Sequence, residues 1–377
     1  MTLTTLLGHW MSATNAQAID RDADFMGAAL SLARRGLGNT FPNPSVGCLL
    51  VKEGLVIARG WTQPGGRPHA EAMALANAGE AALGSTAYVT LEPCAHQGET
   101  PPCADALVKA GVARVVVAIT DPDPRVAGKG LEILKNAGIE VVQDVRREDA
   151  WRANLGFFLS RTENRPLFTL KLATDHAGHI PGPEALGDDK WITSPQARAR
   201  AQLLRAQHDA VLFGIGTVLS DDPAYTCRLA GLEGQSPVRV LLDSNLRLPK
   251  TSKLLQNLDV SPLWVVCGAD ADGADALESL GVTVIHAPSA RPDPLWVAGT
   301  LAQRGLTRVL IEAGPQVATA FLDANLVDEV TWFRAERTLG VKSVPAFNKN
   351  TPELLDFRRE AVLNAGPDLL ELYTRKA

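Results

Sequence analysis

Short apolar segments typical of β-strands alternate with helix-like segments along almost the whole of this 377-residue chain. In the first half, the apolar run from Ala87 to Leu91 is typical of a buried strand, and it lies between helical patterns at His69 to Ala78 and Thr100 to Ala110. This alternation favours α/β layer folds built on parallel strands. The chain is longer than one ordinary domain of roughly 100 to 200 residues, so we expect two domains of this class.

A charged segment from Arg146 to Arg165 marks the expected domain boundary, because it is followed by a new strand-like segment at Pro166 to Leu172. The alternation then resumes and ends in a predicted hairpin at Val362 to Tyr373. We therefore expect a loose leader over residues 1–20, a first domain over residues 21–150 and a second domain over residues 160–377.

The composition narrows the class of function. Hydrophobic residues make up 46% and charged residues 21% of the chain, with a formal net charge of -5, which is typical of a globular protein. The absence of a basic run argues against a nucleic-acid surface, and the apolar runs fall far short of the ~20 residues that a membrane helix requires. We expect a small-molecule enzyme that forms a homo-oligomer and has no nucleic-acid or membrane partner.

Cysteine usage indicates a reducing compartment. The chain has five cysteines, which are too few and too scattered for a disulfide framework. The first residues have no basic n-region and no small-residue cleavage site after a proper apolar core, so they do not indicate a signal peptide. We therefore expect a cytoplasmic protein, in which Cys48, Cys227 and Cys267 are buried small residues.

The strongest chemical signal is a set of three metal-binding residue types in the first half, His69, Cys94 and Cys103. One imidazole and two thiolates make a three-ligand zinc site, and catalytic zinc sites keep the fourth position for water, whereas structural sites usually take four protein ligands. Glu71, two residues after the histidine, can relay protons at the open position without binding the metal.

Weaker interpretations exist for each of these residues taken alone, since single histidines and cysteines are more often core or surface residues. His96 is a candidate fourth ligand, but it would close the site, so we expect it to be a bystander. A proline precedes both His69 and Cys94, which suggests that each ligand opens a helix whose positive end favours a thiolate.

Two further segments of the first half are candidates for substrate contacts. The side-chain amide of Asn43 can pair with the polar edge of a pyrimidine, although a simple Asn-Pro turn is an equal alternative. The segment from Asp121 to Gly130 follows a strand at its carboxyl end, where ligands bind in α/β folds. It can also be a turn only.

The second half offers groups suited to a dinucleotide and a phosphate. Arg198 and Arg205 are seven residues apart and so lie on one helix face, and Arg228 adds a third guanidinium. The segments 214–217 and 312–315 supply backbone N–H groups for phosphates, and Trp191 offers a flat surface for a ring. Each has a simpler alternative as a surface charge, a turn or a core residue.

Together these motifs resemble a known family, the bifunctional deaminase/reductase of riboflavin biosynthesis (RibD type). The resemblance covers about residues 22–375 and rests on NPSVGC at 43–48, PHAE at 68–71, TLEPCAHQGETPPC at 90–103, DPDPRVAGKG at 121–130, WITSPQAR at 191–198 and GTVLSDDPAYTCR at 216–228. It implies an N-terminal cytidine-deaminase-like three-layer α/β/α domain and a C-terminal dihydrofolate-reductase-like α/β domain. The implied cofactors are Zn²⁺ and NADPH.

The resemblance also implies roles for individual residues of this chain. The implied NADPH contacts are Ala173, Trp191, Thr217, Asp221, Ser244 and Gly314. The implied substrate contacts, besides Asn43, are Asp189, Arg205, Tyr225, Arg228 and Glu312. The activity implied is zinc-dependent deamination of a diaminopyrimidine ribosylamino phosphate, followed by reduction of its ribosyl group to ribityl.

The chain departs from the family pattern at a few positions. Thr62, Glu99 and Asp123 stand where relatives often have histidine, a basic residue and asparagine, and the usual Ser-Leu-Asp-Gly becomes Asp175-His176-Ala177-Gly178. Two alternatives therefore stay open: a monofunctional zinc deaminase with an impaired reductase domain, and a nucleic-acid base deaminase. A non-catalytic zinc scaffold is disfavoured by the three-ligand set and by Glu71.

Overall fold

The chain folds into two compact units that divide between Thr162 and Glu163 in a computed structural model. The structure describes residues 21–96, 101–123, 126–182, 191–339, 343–347, 354 and 356–376. The first unit thus continues past residue 150, where we expected the first domain to end. Among the described helices, none is long and apolar enough to cross a membrane.

The described part of the first unit contains a five-stranded sheet with helices around it. In chain order its elements are helix α1 over 21–33, β1 (Gly47–Lys52), β2 (Leu55–Trp61), α2 (Ala70–Ala78), β3 (Thr86–Val89), α3 (Cys103–Lys109), β4 (Arg114–Val117), α4 (Lys129–Asn136), β5 (Glu140–Val142) and α5 (Arg147–Thr162). The strand order is β2-β1-β3-β4-β5.

This sheet is mixed, whereas the sequence pattern predicted an α/β layer fold with parallel strands. Strands β3, β4 and β5 are parallel neighbours, but β1 pairs antiparallel with both β2 and β3. Strand β2 was not predicted from the sequence. It returns from β1 through a two-residue turn at Glu53 and Gly54, both at positive φ. Such turns connect hairpin strands tightly because their twist matches that of the strands.

Helix α5 belongs to the core of the first unit, although its sequence suggested a charged boundary segment. Phe158 is fully buried, and Phe157 and Asn154 are nearly so. The Asn154 side-chain oxygen accepts a hydrogen bond from the Ser45 backbone N–H at 3.1 Å, which ties the helix to the segment before β1. Most charged residues of α5 lie before Asn154 and are exposed, whereas its buried residues lie mainly between Asn154 and Leu159. The second half of the helix therefore packs into the core, although the composition of the segment suggested a linker.

The second unit is built on a larger sheet, with helices and a small second sheet. Its described elements are β6 (Leu167–Thr174), β7 (His179–Pro181), α6 (Pro195–Ala206), β8 (Ala210–Gly214), α7 (Ile215–Asp221), β9 (Val238–Leu242), α8 (Lys253–Gln256), β10 (Leu263–Cys267), α9 (Ala274–Glu278), β11 (Thr283–His286), α10 (Pro294–Gln303), β12 (Arg308–Ile311), α11 (Pro315–Asp323), β13 (Val327–Arg334), β14 (Ser343–Pro345), β15 (Phe357–Ala365) and β16 (Asp368–Arg375). The predicted strands at 210–213, 238–242 and 263–267 and the closing hairpin are confirmed.

The order of strands in the larger sheet is β11-β10-β9-β8-β12-β6-β13-β16-β15, as far as the chain is described. The strands from β11 to β13 are parallel, and β16 and β15 complete the sheet in antiparallel fashion. From β8 the chain moves to one side through β9, β10 and β11, and from β12 it moves to the other side to β13. The carboxyl ends of β8 and β12 therefore flank a topological switch point, where open α/β sheets bind ligands.

Candidate active sites

The three predicted metal ligands lie together in the first unit. His69 is the residue that caps the start of α2, Cys94 lies in the irregular segment that follows β3, and Cys103 is the first residue of α3. The His69 Nδ1 atom lies 3.6 Å from the Cys94 Sγ atom and 3.4 Å from the Cys103 Sγ atom, and the three ligand atoms lie within 4.8 Å of one another. His96 is exposed and outside this cluster.

One expectation about these ligands was wrong, because Cys94 does not open a helix. Cys103 does, and its backbone N–H donates to the Cys94 Sγ atom at 3.3 Å. A single helix start therefore serves both thiols: it carries one and donates a hydrogen bond to the other. Hydrogen bonding from the Cys103 thiol and from the His69 ring lowers the pKa of Cys94 to about 4, which favours the thiolate that metals bind.

Glu71 lies in the first turn of α2 and is almost completely buried beside the cluster. Burial, together with the negative charge of Cys94, raises its pKa to about 7. A carboxyl group poised near neutral pH can both take up and release a proton, which is the property required of a general acid and base.

Asn43, the predicted pyrimidine contact, is half-buried, and its side-chain NH₂ group donates to the Gly66 carbonyl at 3.3 Å. The Thr62 hydroxyl, at one of the departures from the family pattern, is buried and accepts the Val46 N–H at 2.9 Å. It thereby fixes the start of β1. Asp123 is buried as well, whereas Glu99 lies outside the described residues.

In the second unit, the implied cofactor contacts collect at one edge of the parallel sheet. Ala173 lies near the end of β6, Ser244 follows β9, Thr217 and Asp221 lie in α7 directly after β8, and Gly314 caps the start of α11 directly after β12. All are therefore placed at or near carboxyl ends of parallel strands, and the β8 and β12 members flank the switch point. A Cβ atom added at Gly216 or Gly314 would meet no neighbour within 4 Å, so this backbone is open to a ligand.

The implied substrate contacts form a second group beside this edge. The Arg205 Nη2 atom donates to the Glu312 Oε2 atom at 2.9 Å, and the Tyr225 hydroxyl donates to the Glu312 carbonyl at 2.9 Å. The Arg205 guanidinium also lies over the Tyr225 ring, 5.1 Å from its centroid. The structure thus brings Arg205, Tyr225 and Glu312 into contact, and the guanidinium that we expected to be available for a phosphate is engaged by a carboxylate.

Lys171 joins this group, and sequence reasoning missed it. Its Nζ atom lies 3.7 Å from Glu312 Oε2, and burial lowers the pKa of Lys171. Burial alone would raise the pKa of Glu312, but the charges of Arg205 and Lys171 lower it to about 2. A lysine inside the otherwise apolar strand sequence LFTLKLAT was the available signal, because strands buried on both faces rarely carry a charge.

The remaining implied contacts of the second unit are Arg228, Trp191 and Asp189. Arg228 and Trp191 are exposed, and the Arg198 guanidinium stacks over the Trp191 ring at 4.8 Å from its centroid. The Arg198 guanidinium thus contacts an aromatic ring, whereas the Arg205 guanidinium contacts the Glu312 carboxylate. Asp189 lies outside the described residues.

The departure at 175–178 has a structural explanation. Asp175 is fully buried, and its carboxylate accepts hydrogen bonds from the backbone N–H groups of Ala177, His179 and Leu339 at 2.8 to 3.0 Å. It therefore joins the turn between β6 and β7 to the segment that follows β13. Burial opposes ionisation, but these hydrogen bonds lower the pKa of Asp175 overall. Hydrogen bonds to the Asp175 carboxylate therefore stabilise the altered turn.

Family models match both units of the chain. The cytidine and deoxycytidylate deaminase zinc-binding region matches residues 19–119, and the RibD C-terminal domain matches residues 184–370. The chain is 40% identical over 356 residues to the riboflavin biosynthesis protein RibD of Aquifex aeolicus, covering 94% of this chain and 98% of that protein. The chain belongs to the RibD family.

Other relatives agree with this assignment over nearly the whole chain. RibD of Escherichia coli is 39% identical over 365 residues, which are 93% of this chain and 98% of that protein. The solved structure of Acinetobacter baumannii RibD is 40% identical with a TM-score of 0.85, and a Thermotoga maritima structure, a diaminohydroxyphosphoribosylaminopyrimidine deaminase/5-amino-6-(5-phosphoribosylamino)uracil reductase, is 33% identical with a TM-score of 0.82. Each covers 95% of this chain and 100% of the solved chain.

Membership of this family confirms the fold class, with a cytidine-deaminase-like domain followed by a RibD reductase domain. The chain is therefore a riboflavin biosynthesis enzyme with a deaminase domain and a reductase domain. The residues fit the two expected cofactors: one imidazole and two thiols are a donor set that Zn²⁺ prefers, and the open backbone at the switch point suits a dinucleotide such as NADPH. Neither the monofunctional alternative nor the nucleic-acid deaminase is favoured.

Proposed function

We propose that this chain catalyses two consecutive reactions of riboflavin biosynthesis. The first unit hydrolyses an amino group from a diaminopyrimidine ribosylamino phosphate and releases ammonia, and the second unit reduces the ribosyl group of that product to ribityl with NADPH. The observation that carries the first activity is the His69, Cys94 and Cys103 cluster with the buried carboxyl group of Glu71 beside it. Both activities are named for the Thermotoga maritima relative.

In the deaminase unit, His69, Cys94 and Cys103 hold the metal and Glu71 moves protons. Bound zinc would supply a Lewis acid that lowers the pKa of water towards ~7. Glu71 takes a proton from the attacking water and returns one to the departing amine, which its pKa of about 7 allows at neutral pH. Asn43 orients the pyrimidine through its polar edge.

In the reductase unit, the residues at the carboxyl edge of the parallel sheet hold the dinucleotide. We assign this role to Ala173, Thr217, Asp221, Ser244 and the backbone at Gly314 at that edge, and to the exposed Trp191 in addition. Helix α11 begins there, and the free N–H groups of its first turn after Pro315, together with its positive end, favour a phosphate. NADPH would supply the hydride, and the protein positions donor and acceptor.

The sugar phosphate end of the substrate is assigned to Asp189, Arg205, Tyr225, Arg228 and Glu312. Arg205, Tyr225 and Glu312 already contact one another, which supports a common role. Arg228 is exposed, which supports a contact of its guanidinium with a phosphate, and its backbone N–H donates to the Gln202 side-chain oxygen at 2.9 Å. Binding energy at this end serves to orient the carbon that is reduced.

We also propose a cytoplasmic homo-oligomer. All five cysteines are free, as a reducing compartment favours. Strand β15 ends the larger sheet, and it shares a hairpin with β16 on which Val362, Leu363 and Leu369 are more than 40% exposed. An exposed apolar edge strand is a template for pairing with a second chain. Light scattering of the purified protein tests this.

The experiment that tests the proposed function is incubation of the purified protein with the diaminopyrimidine substrate, with and without NADPH. Mass spectrometry should detect only the deaminated product without NADPH, and the ribityl product when NADPH is added. A failure to deaminate would contradict the first half of the proposal. Deamination without any reduction would instead support the monofunctional alternative.

A further inference from the structure

Glu92 is a buried carboxylate that stands two residues before the proposed ligand Cys94 and takes no part in the metal cluster. Its Oε2 atom accepts hydrogen bonds from the backbone N–H groups of Asp121 at 3.2 Å and Gly128 at 3.0 Å. Its Oε1 atom accepts one from the Gly130 N–H at 2.9 Å. The Glu92 side chain therefore holds both ends of the segment 121–130. Residues 124 and 125 of this segment are not among the described residues.

The same segment packs directly against the residue that precedes Cys94. A Cβ atom added at Gly130 would lie 1.9 Å from the Pro93 carbonyl oxygen, so the backbones of the two segments touch and leave no room for a side chain. The contact follows from the sheet: β3 and β4 are parallel neighbours, so the segments that leave their carboxyl ends meet at the same edge. One segment carries Cys94 and the other carries the half-buried Asp121 and the buried Asp123.

Both carboxylate oxygens of Glu92 accept backbone N–H groups, and the side chain lies outside the metal cluster. Its role must therefore be exerted through the backbone that it holds. We propose that Glu92 is a positioning residue of the deaminase site, whose carboxylate holds residues 121–123 and 128–130 against the metal-binding segment, where these residues border the substrate. This inference rests on the proposed deaminase function.

The chemistry of this contact requires a carboxylate. In Glu92→Gln, one side-chain oxygen is replaced by an NH₂ group, which would face a backbone N–H donor and leave it unpaired. An unsatisfied buried donor is more costly than a missing hydrogen bond. The variant therefore keeps the size of the side chain but retains at most two of its three hydrogen bonds to the segment, and it leaves at least one buried N–H group facing an NH₂ group.

The test uses two variants of the full-length zinc protein that disturb the same contact from opposite sides. Glu92→Gln removes the acceptor, and Gly130→Ala pushes the segment away from Pro93 while keeping Glu92 intact. Zinc content, amide hydrogen exchange across residues 119–131, and kcat and KM for deamination are measured for each. Asp209→Asn is the matched control, because Asp209 in the second unit is an equally buried carboxylate that accepts from the Thr307 and Arg308 N–H groups and the Thr307 hydroxyl.

Both test variants should keep their zinc, exchange the amides of the segment faster, and show a KM for the diaminopyrimidine raised by about tenfold or more, with kcat changed much less. Loss of zinc would overturn the proposal, because Glu92 would then act on Cys94 itself. Unchanged exchange or an unchanged KM would also overturn it, as would an equal rise in KM in Asp209→Asn. If the wild-type protein does not deaminate at all, the proposed function fails, and the exchange measurement alone then decides whether Glu92 holds the segment.

Discussion

Two neighbouring residues of the first unit, Cys94 and Glu71, have separable roles in our proposal. Cys94→Ser should release the zinc, because a three-ligand site that loses a thiolate retains too few donors. Glu71→Gln should retain about one zinc per chain and lose deamination, since the amide cannot move protons. Metal analysis combined with an ammonia-release assay distinguishes the two. Normal deamination by Glu71→Gln would show that another group relays the proton.

The buried pair of Arg205 and Glu312 should make the stability of the protein depend on pH. The pKa of Glu312 is about 2 in the fold against 4.5 in a free side chain. Its contribution of roughly 3 kcal/mol is therefore present above pH 4.5 and is lost as the pH falls towards 2. Glu312→Gln leaves two buried cations without their carboxylate, a change that typically costs about 3 to 5 kcal/mol.

Thermal unfolding at several pH values measures this effect. The difference in Tm between the wild-type protein and Glu312→Gln should be large at pH 7 and should shrink as the pH is lowered to 3. Other carboxyl groups titrate in both proteins and cancel in the difference. A difference in Tm that does not change with pH would mean that the charge of Glu312 contributes nothing and that only its shape matters.

Helix α5 determines where the first unit can be cut. A fragment of residues 1–150 loses Asn154, Phe157 and Phe158, whereas a fragment of residues 1–162 keeps them. Removal of one buried aromatic side chain already costs about 3 to 5 kcal/mol, a large part of a typical total of about 5 to 15 kcal/mol. We expect the longer fragment to bind zinc and the shorter one to be unfolded or aggregated.

Circular dichroism and zinc analysis of the two fragments test this expectation. In the longer fragment, Phe158→Ala should lower the Tm strongly, and the half-exposed Trp151→Ala should lower it little. A shorter fragment that folds and binds zinc as well as the longer one would show that α5 is dispensable.

Elements with a clear local pattern were predictable from the sequence, and those with a mixed pattern were not. Strand β8 was found because its residues are apolar and buried on both faces. Strand β2 was missed because its burial alternates irregularly, from an exposed Leu55 to a buried Ala58. Helix α5 was not predicted because its many charged residues suggested a linker, although Phe157 and Phe158 are buried in the core.

The same limit applies to the sites. His69, Cys94 and Cys103 could be grouped from the sequence because each residue type has a definite metal chemistry and the resemblance fixes their order. Glu92 and Lys171 could not, because their roles depend on partners such as Gly130 and Glu312 that only the fold brings near. Residues that act on distant backbone or on a distant charge leave little trace in the local sequence.

The two chemistries should be separable within the intact molecule. The proposed zinc ligands all precede the division at Thr162 and Glu163, and the proposed NADPH contacts all follow it. Dialysis against a strong chelator should therefore abolish deamination and leave NADPH binding, measured by fluorescence titration, unchanged. Re-addition of zinc should restore deamination. If NADPH binding were lost together with the metal, the assignment of one cofactor to each unit would be wrong.

Strand β12 lies between β8 and β6, although the chain makes it long after either of them. In the folded protein, β12 pairs with one edge of β6 and with one edge of β8. Until residues 308–311 have been synthesised, those two edges have no partner strand and the crevice between β8 and β12 does not exist. The nascent second unit therefore exposes open strand edges through most of its synthesis, which is the condition under which chains associate wrongly. The large sheet of the second unit cannot be completed before the four residues of β12 are synthesised. The proposed metal ligands of the first unit, in contrast, are all synthesised within one short stretch from His69 to Cys103.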